Sequence, residues 1–301
     1  MPSPLVLLNA RAGSLIDSGP EGVREEIAQA LTARGEAPDI RLLEPRELVP
    51  AITKAARGAH DPVIVGGGDG SVSCAVHAFA GSGKTLGVLP FGTLNLLARD
   101  LGMPADLHEA VAALRYAKPR TIDLGRINGR AFHSLSGLGF FSQMARAREE
   151  TRGHPLGRLA SVAVAAWRAA WRSGADALDI TIDGESESVE ALAVLVTVNQ
   201  FGPDWRRPTL DGGTLELHIA ESADVLGKLK ASTELLTGSW RESNEGVRSI
   251  LAREVVIQRR RRHTFAATDG ELARERIPLR YAIEPGGLTV LAAASEKAAD
   301  A

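Results

Sequence analysis

Short apolar runs recur through the first third of the chain at Leu5–Leu8, Ile40–Leu43, Pro62–Val65 and Leu86–Pro90, with helix-patterned sequence between them. Each run has the length and composition of a buried strand. The intervening helices are expected at Pro20–Arg34, with proline in the first turn and Gly35 just past the end, and at Glu47–Arg57, Val72–Ala80 and Leu94–Leu101. Strands that alternate with helices pair in parallel and need helices on both faces of their sheet. Ligands of such sheets collect at the carboxyl ends of the strands. Here that end carries the glycine cluster Gly66-Gly67-Gly68.

After Asp123 the pattern changes. A helical stretch is expected at about Gly139–Ser173, followed by β-rich sequence: Leu178–Ile182 and Val189–Asn199 flank the turn dipeptide Asp183-Gly184 through a loop longer than two residues. Further strands are expected at Leu215–Ala220, Val255–Arg260, Thr264–Thr268 and Leu288–Leu291. The fold class that follows is α/β. A parallel-sheet α/β domain over 1–122 precedes a second, mainly antiparallel domain over 123–294, whose last strand is free to return to the first. A small, polar tail over 295–301 is expected to fray.

Composition excludes several classes. At 301 residues, with 44% apolar and 24% charged residues, the chain can bury a full core without metal or disulfide. Its net charge of -2 gives no global electrostatic case for a nucleic-acid partner. Cys74 is the one cysteine, which suits a reducing compartment. The start lacks the features of a signal peptide, and the apolar stretch Leu159–Trp167 is far short of the roughly 20 residues a spanning helix needs. The expectation is a cytoplasmic protein for which peripheral contact with the inner face of the membrane stays open, as does a homodimer. The seven histidines show no ligand-like spacing, which sets a zinc site aside.

Chemistry concentrates in two glycine-containing loops. In Gly66-Gly67-Gly68-Asp69-Gly70-Ser71, glycines let backbone amides approach a phosphate, and the following helix adds its positive dipole end. Asp69 suits such a site if a divalent ion lies between carboxylate and phosphate or if it binds a hydroxyl; a helix cap at a tight turn is the plain alternative. In Leu89-Pro90-Phe91-Gly92-Thr93-Leu94-Asn95, Thr93 reads best as an N-cap, and Asn95 lies off the apolar stripe, where it could face a ligand. Ala78–Thr85 ends like a P-loop, but a helix precedes it and a strand follows, the reverse of a phosphate cradle, so it reads as a surface loop.

Asp269-Gly270-Glu271 reads as a hairpin turn, although paired acids also bind metal or accept protons, and Asp211 before Gly212-Gly213 could supply a hard oxygen ligand. Arg259–Arg262 fall in an expected strand, where alternate residues face opposite sides, as either a solvated edge or a surface for anionic lipid or substrate. Trp167 and Trp171, one helical turn apart beside Arg168 and Arg172, read as core rather than as a lipid contact.

In order and spacing these segments resemble the diacylglycerol kinase catalytic family, which includes bacterial lipid kinases and sphingosine kinases. Asn9-Ala10-Arg11-Ala12-Gly13 is similar to the family's opening turn, Gly67-Gly68-Asp69-Gly70-Ser71 to its signature loop, and Leu89–Arg99 to its second signature. Ser136–Phe140 and Asp269-Gly270-Glu271 fall where the family places its Gly-Phe segment and its Asp-Gly-Glu. The resemblance implies that the first domain binds nucleotide and that the second is a β-sandwich, with ATP and Mg2+ as cofactors and a lipid substrate such as diacylglycerol, met through transient contact with a membrane surface. It implies nucleotide binding by Asn9, Arg11, Gly67, Gly68, Asp69, Gly70, Ser71, Gly92, Thr93 and Asn95. Asp69 would also serve catalysis and hold the metal, Glu271 would be the general base, and an accessory metal would sit by Asp211. Departures are Ala10 for proline, Ser73-Cys74 for Asn-Glu, and Gly212 where the family often continues its aspartates. The alternatives are an NAD kinase, for which the expected Asn-Glu pair is nearest matched by Asn199-Gln200, and a nucleotide- or lipid-binding module without catalysis.

Overall fold

The chain divides into two compact units, one formed by Met1–Leu124 with Pro285–Ala301 and the other by Gly125–Glu284. The computed structural model describes residues 3–35, 37–92, 95–139, 142, 175–202, 206–221 and 247–294. Most of the helical stretch expected before Ser173, with Trp167 and Trp171, lies outside those residues, as do Thr93, Phe140 and the tail.

The first unit runs β1 (Leu5–Asn9), α1 (Gly13–Ser18), α2 (Pro20–Thr32), β2 (Asp39–Leu43), α3 (Pro45–Ala56), β3 (Val63–Gly67), α4 (Asp69–Phe79), β4 (Thr85–Pro90), α5 (Leu96–Asp100), α6 (Leu107–Ala113) and most of β5 (Lys118–Ile127). The strands pair in parallel in the order β2-β1-β3-β4. β1 and β3 are apolar because both of their faces are covered: Leu5–Leu8 and Val63–Val65 are buried throughout. α2 buries Val23, Ile27 and Leu31, one face at four-residue spacing. α3 starts at a proline, and the Glu47 carboxylate accepts the Glu44 amide at 3.1 Å. α1 and α6 were not expected from the sequence. α6 is fixed by an Asp106 cap, whose carboxylate accepts the Glu109 amide at 3.0 Å.

The second unit continues with β6 (Arg130–Phe132), β7 (Leu135–Gly139), β8 (Asp176–Ile182), β9 (Glu185–Ala191), β10 (Ala193–Val198), β11 (Leu215–Ala220), β12 (Val247–Ala252), β13 (Glu254–Gln258), β14 (His263–Thr268), β15 (Glu271–Arg276) and the first part of β16 (Leu279–Ala292). One layer pairs β16, β13, β8 and β9; the other has the order β12-β11-β10-β7-β14-β15. The inward residues of both layers form one core that includes Phe132, Leu178, Ile180, Val196, Leu217, Ile257 and Tyr281. Phe132 and Tyr281 meet edge to face, with ring centroids 6.2 Å apart at 85°. β16 ends in the first unit, where Thr289 and Val290 pair in parallel with Thr85 and Leu86.

Three expectations are corrected. The loop between β8 and β9 is only the two residues Asp183 and Gly184, both at positive φ, because the polar run Glu185–Glu190 is itself a strand with one solvated face. The run Val189–Asn199 is two strands, β9 and β10, which change layers at Leu192. The four arginines are not in a strand: β13 ends at Gln258, and Arg259–Arg262 form the link to β14. Side-by-side like charges gain little from a ladder that would fix them together.

Candidate functional site

In the first unit, β3 delivers the chain into the glycine cluster at the carboxyl end of its sheet. Added Cβ atoms show why glycine stands there: at Gly66 one would lie 2.5 Å from the Phe91 ring, and at Gly67 2.6 Å from Ser71 Cβ. At Gly92 it would lie 2.7 Å from Gly68 Cα, so the two signature loops touch backbone to backbone. The Phe91 amide donates to Gly67 O at 3.1 Å and ties them further.

Asp69 opens α4, with Gly68 as N-cap and no side-chain cap on the helix. The amides of its first turn have no intrahelical acceptor and point toward the loop, which is the usual anion seat at a helix N-terminus. One Asp69 oxygen, Oδ1, accepts the Leu96 amide at 3.2 Å and so joins the start of α5 to the start of α4. Asn95 lies at φ 48°; its Oδ1 accepts the Gly92 amide at 2.9 Å, and its Nδ2 donates to Gly92 O at 2.9 Å. Asn95, not Thr93, is therefore the N-cap residue of α5, because an amide closed on Gly92 in the left-handed conformation cannot lie within the helix.

Asn9 stands at the end of β1, and its Nδ2 donates to Ser71 Oγ at 3.4 Å. The Arg11 amide donates to Asn9 Oδ1 at 3.0 Å, while its exposed guanidinium pairs with Glu44 at 3.1 Å. Asn9, Gly67, Gly68, Asp69, Gly70, Ser71, Gly92 and Asn95 are thus brought together; the Arg11 side chain is engaged elsewhere. The P-loop-like segment is accounted for as well. Lys84 Nζ donates to the carbonyls of Ala55, Gly58 and His60 and satisfies the end of α3 rather than a phosphate.

In the second unit, Asp269 and Gly270 form a two-residue turn between β14 and β15, at φ 50° and 83°. Asp269 is only 3% exposed. Its Oδ1 accepts the Ser134 amide at 2.9 Å, the Ser134 hydroxyl at 2.7 Å and the Leu135 amide at 3.3 Å; its Oδ2 accepts the His133 amide at 2.9 Å. Beneath the turn, the hydroxyls of Thr268, Ser136 and Tyr281 form a chain at 2.9 and 3.1 Å. Burial pushes the Tyr281 hydroxyl far above its ordinary range, so it stays protonated. Glu271, the residue after the turn, is exposed on a hairpin held this rigidly.

Asp211 is exposed, and its Oδ1 accepts the Thr209 hydroxyl at 2.7 Å. At Gly212 a Cβ would lie 2.9 Å from Asn199 Oδ1, so another aspartate there would require the Asn199 amide to shift. Among the described residues no three acidic, histidine or cysteine side chains form a metal cluster. For Mg2+ the donor set fits a lighter form of binding, by the one Asp69 carboxylate together with phosphate oxygens and water. Sequence reasoning named Asp269 but not its burial, and it passed over the buried carboxylates Asp123 and Glu216; Asp123 Oδ1 accepts the Gly286 amide at 2.9 Å. Asp-Gly signalled the turn at 269, but nothing local in sequence marks a carboxylate whose donors lie about 135 residues earlier.

A family model described as the diacylglycerol kinase catalytic domain matches residues 3–127, and one described as the YegS C-terminal NAD kinase beta sandwich-like domain matches residues 141–292. A probable lipid kinase YegS-like protein of Pseudomonas syringae pv. tomato is 30% identical over 159 residues, covering 51% of this chain and 52% of that protein. The diacylglycerol kinase of Bacillus subtilis is 28% identical over 206 residues, 62% of this chain and 64% of that one. The chain thus spans about half to just under two thirds of these curated relatives. A putative diacylglycerol kinase from Bacillus anthracis str. Sterne shares the fold at a TM-score of 0.75 and 20% identity, with 96% of this chain and 95% of that chain covered. Among the described residues no helix is long and apolar enough to cross a membrane.

Proposed function

The chain belongs to the diacylglycerol kinase catalytic family, and on that premise we propose that it transfers the γ-phosphate of ATP to the hydroxyl of a lipid such as diacylglycerol. The observation that carries the reading is the double loop in the first unit, where Gly68 and Gly92 meet at the uncapped start of α4 beside Asp69. Phosphoryl transfer asks a protein mainly to align its substrates and to offset negative charge. The amides of residues 69–71 and the Gly92–Asn95 turn would hold the phosphates. Asp69 would hold Mg2+ through the oxygen not occupied by the Leu96 amide; the bound ion would offset phosphate charge.

Glu271 is the proposed general base. As the lipid oxygen bonds to the γ-phosphorus and the bond to the departing ADP oxygen breaks, the hydroxyl proton passes to the Glu271 carboxylate. A carboxylate is a weak base toward an alcohol at rest, but the proton becomes acidic as the new bond forms. Asp269 acts on this step only by holding the hairpin. Glu271 is exposed and carries no helix or core burden, which suits a group that must meet a substrate.

The test is incubation of the pure protein with γ-labelled ATP and Mg2+ against a panel of lipid alcohols in uncharged detergent micelles, with NAD in a parallel reaction. Labelled lipid phosphate is the expected product. Label on NAD with none on lipid would replace this reading by that of an NAD kinase. Nucleotide binding with no transfer to any acceptor would replace it by that of a binding module.

A further inference from the structure

From the β14–β15 hairpin and the link before it, we infer a docking surface for anionic membranes. The cross-strand register puts His263 opposite Arg276 and Phe265 opposite Arg274, so these four share one face. All four are exposed, and Phe265 keeps 42% of its surface in solvent. The opposite face holds Ala266 and Thr268, which are buried, so the arginine face is the outer one. β15 is the last strand of its layer. The link adds exposed Arg260, Arg261 and Arg262 at the end where His263 and Arg276 pair.

Charge accounting on the hairpin favours an anionic partner. Arg259 is already held by Asp176 at 3.0 Å and by the Thr264 hydroxyl at 2.9 Å. The three acids of the hairpin do not share the arginine face: Asp269 is buried in its amide cage, and Glu271 and Glu275 lie on the other face, Glu275 bound to Arg130 at 2.8 Å. Among the described residues, the side chains of Arg260, Arg261, Arg262, Arg274 and Arg276 have no ion-pair or hydrogen-bond partner. Five uncompensated guanidiniums around an exposed phenylalanine stand on a chain whose net charge is -2. That arrangement fits a lipid headgroup layer, where arginines meet phosphates and an aromatic ring enters the interface.

The inference rests on the lipid-kinase reading, which requires the protein to find a substrate confined to a membrane. Glu271 lies on the same hairpin but on its other face, paired with Thr268. Its level is three residue pairs, about 10 Å along the strands, from that of Phe265 and Arg274.

The test is sedimentation of the full chain with phosphatidylcholine vesicles containing or lacking phosphatidylglycerol, without ATP. Binding is expected on the anionic vesicles alone and should weaken as salt rises. Each arginine at such a surface strengthens binding about fivefold, so Arg260→Gln, Arg262→Gln and Arg274→Gln together should weaken it about a hundredfold. Phe265→Ser should weaken binding with the salt dependence retained. An unchanged thermal transition of the triple variant certifies its fold, and turnover of lipid in uncharged micelles should match the parent. Equal binding to neutral and anionic vesicles, or parental binding by the folded triple variant, overturns the inference. Tighter binding to single-stranded RNA than to the anionic vesicles overturns it in favour of a nucleic-acid surface. Vesicle binding with no lipid turnover overturns the kinase reading and leaves the docking surface standing.

Discussion

Asp269→Asn tests whether the hairpin is held by a buried carboxylate. Asparagine keeps the size of the side chain and tolerates the left-handed φ of 50°, so the turn itself is not strained. In aspartate, Oδ1 takes three donors from Ser134 and Leu135, and Oδ2 takes the His133 amide at 2.9 Å. An asparagine oxygen can serve only one of the two sides. With the oxygen toward Ser134, its NH2 group faces the His133 amide, donor against donor, and that amide is orphaned in a site 3% exposed. Loss of one charge-assisted hydrogen bond plus an unsatisfied buried N–H costs about 3 kcal/mol. In a unit of about 160 residues this lowers the unfolding midpoint by roughly 6–12 °C. The assay is thermal denaturation followed by circular dichroism, with Ser134→Ala, which removes one donor only, as the milder comparison. A midpoint within about 2 °C of the parent would refute the anchoring argument, since the cost per buried donor would then be nearly absent.

Gly92→Ala places a Cβ 2.7 Å from Gly68 Cα, a clash of backbone against backbone, and should weaken ATP binding at least tenfold by calorimetry. Gly22→Ala, which meets nothing within 4 Å, should leave ATP binding unchanged. Glu271→Gln should lower kcat by about 10²–10⁴ with ATP affinity and melting temperature unchanged, and unaltered turnover would remove its assignment as the base. Lys84→Met orphans the carbonyls that end α3 and should cost about 1–3 kcal/mol in urea denaturation with no change in ATP affinity; a selective loss of ATP binding would restore the P-loop reading.

The first unit was readable in sequence because its signals are local. Leu5–Leu8 and Val63–Val65 are continuous apolar runs bounded by turn residues, and they form central strands covered on both sides. The two signature loops announced themselves through glycine, and the structure gives the reason in the Cβ clashes at Gly66, Gly67 and Gly92. The second unit hid more. β9 and β15 are polar strands, and their mixture of exposed and half-buried residues lacks the apolar weight that marks a core strand. The Asp269 cage was invisible because it depends on a pairing across more than 130 residues, which periodicity cannot register. Arg259 shows the same limit in miniature: it looks like its three neighbours in sequence, and only the packing reveals that Asp176 holds it.

Backbone strain separates structural turns from the working loops. Among the described residues, the non-glycine positions at positive φ are Asn95, Asn128, Asp183, Asn199 and Asp269, all of them residues whose short polar side chains make that conformation tolerable. Asn128, Asp183 and Asp269 each precede a glycine that is also at positive φ, and each closes a two-residue hairpin. Their strain is explained by the turn. Asn95 and Asn199 have no such glycine, and the surroundings must hold them in place. Asn95 is held by its own amide closing on Gly92, which fixes the loop against Gly68. Asn199 exchanges backbone and side-chain hydrogen bonds with Thr214 at 2.9 and 3.4 Å, while its Oδ1 stands against Gly212 in the loop after Asp211. Among the described residues, non-glycine backbone at positive φ thus occurs outside hairpins only in the second signature loop, at Asn95, and at Asn199, against the loop presenting Asp211. Strain kept where no turn requires it marks a loop whose shape matters, and both loops are among those singled out by their chemistry.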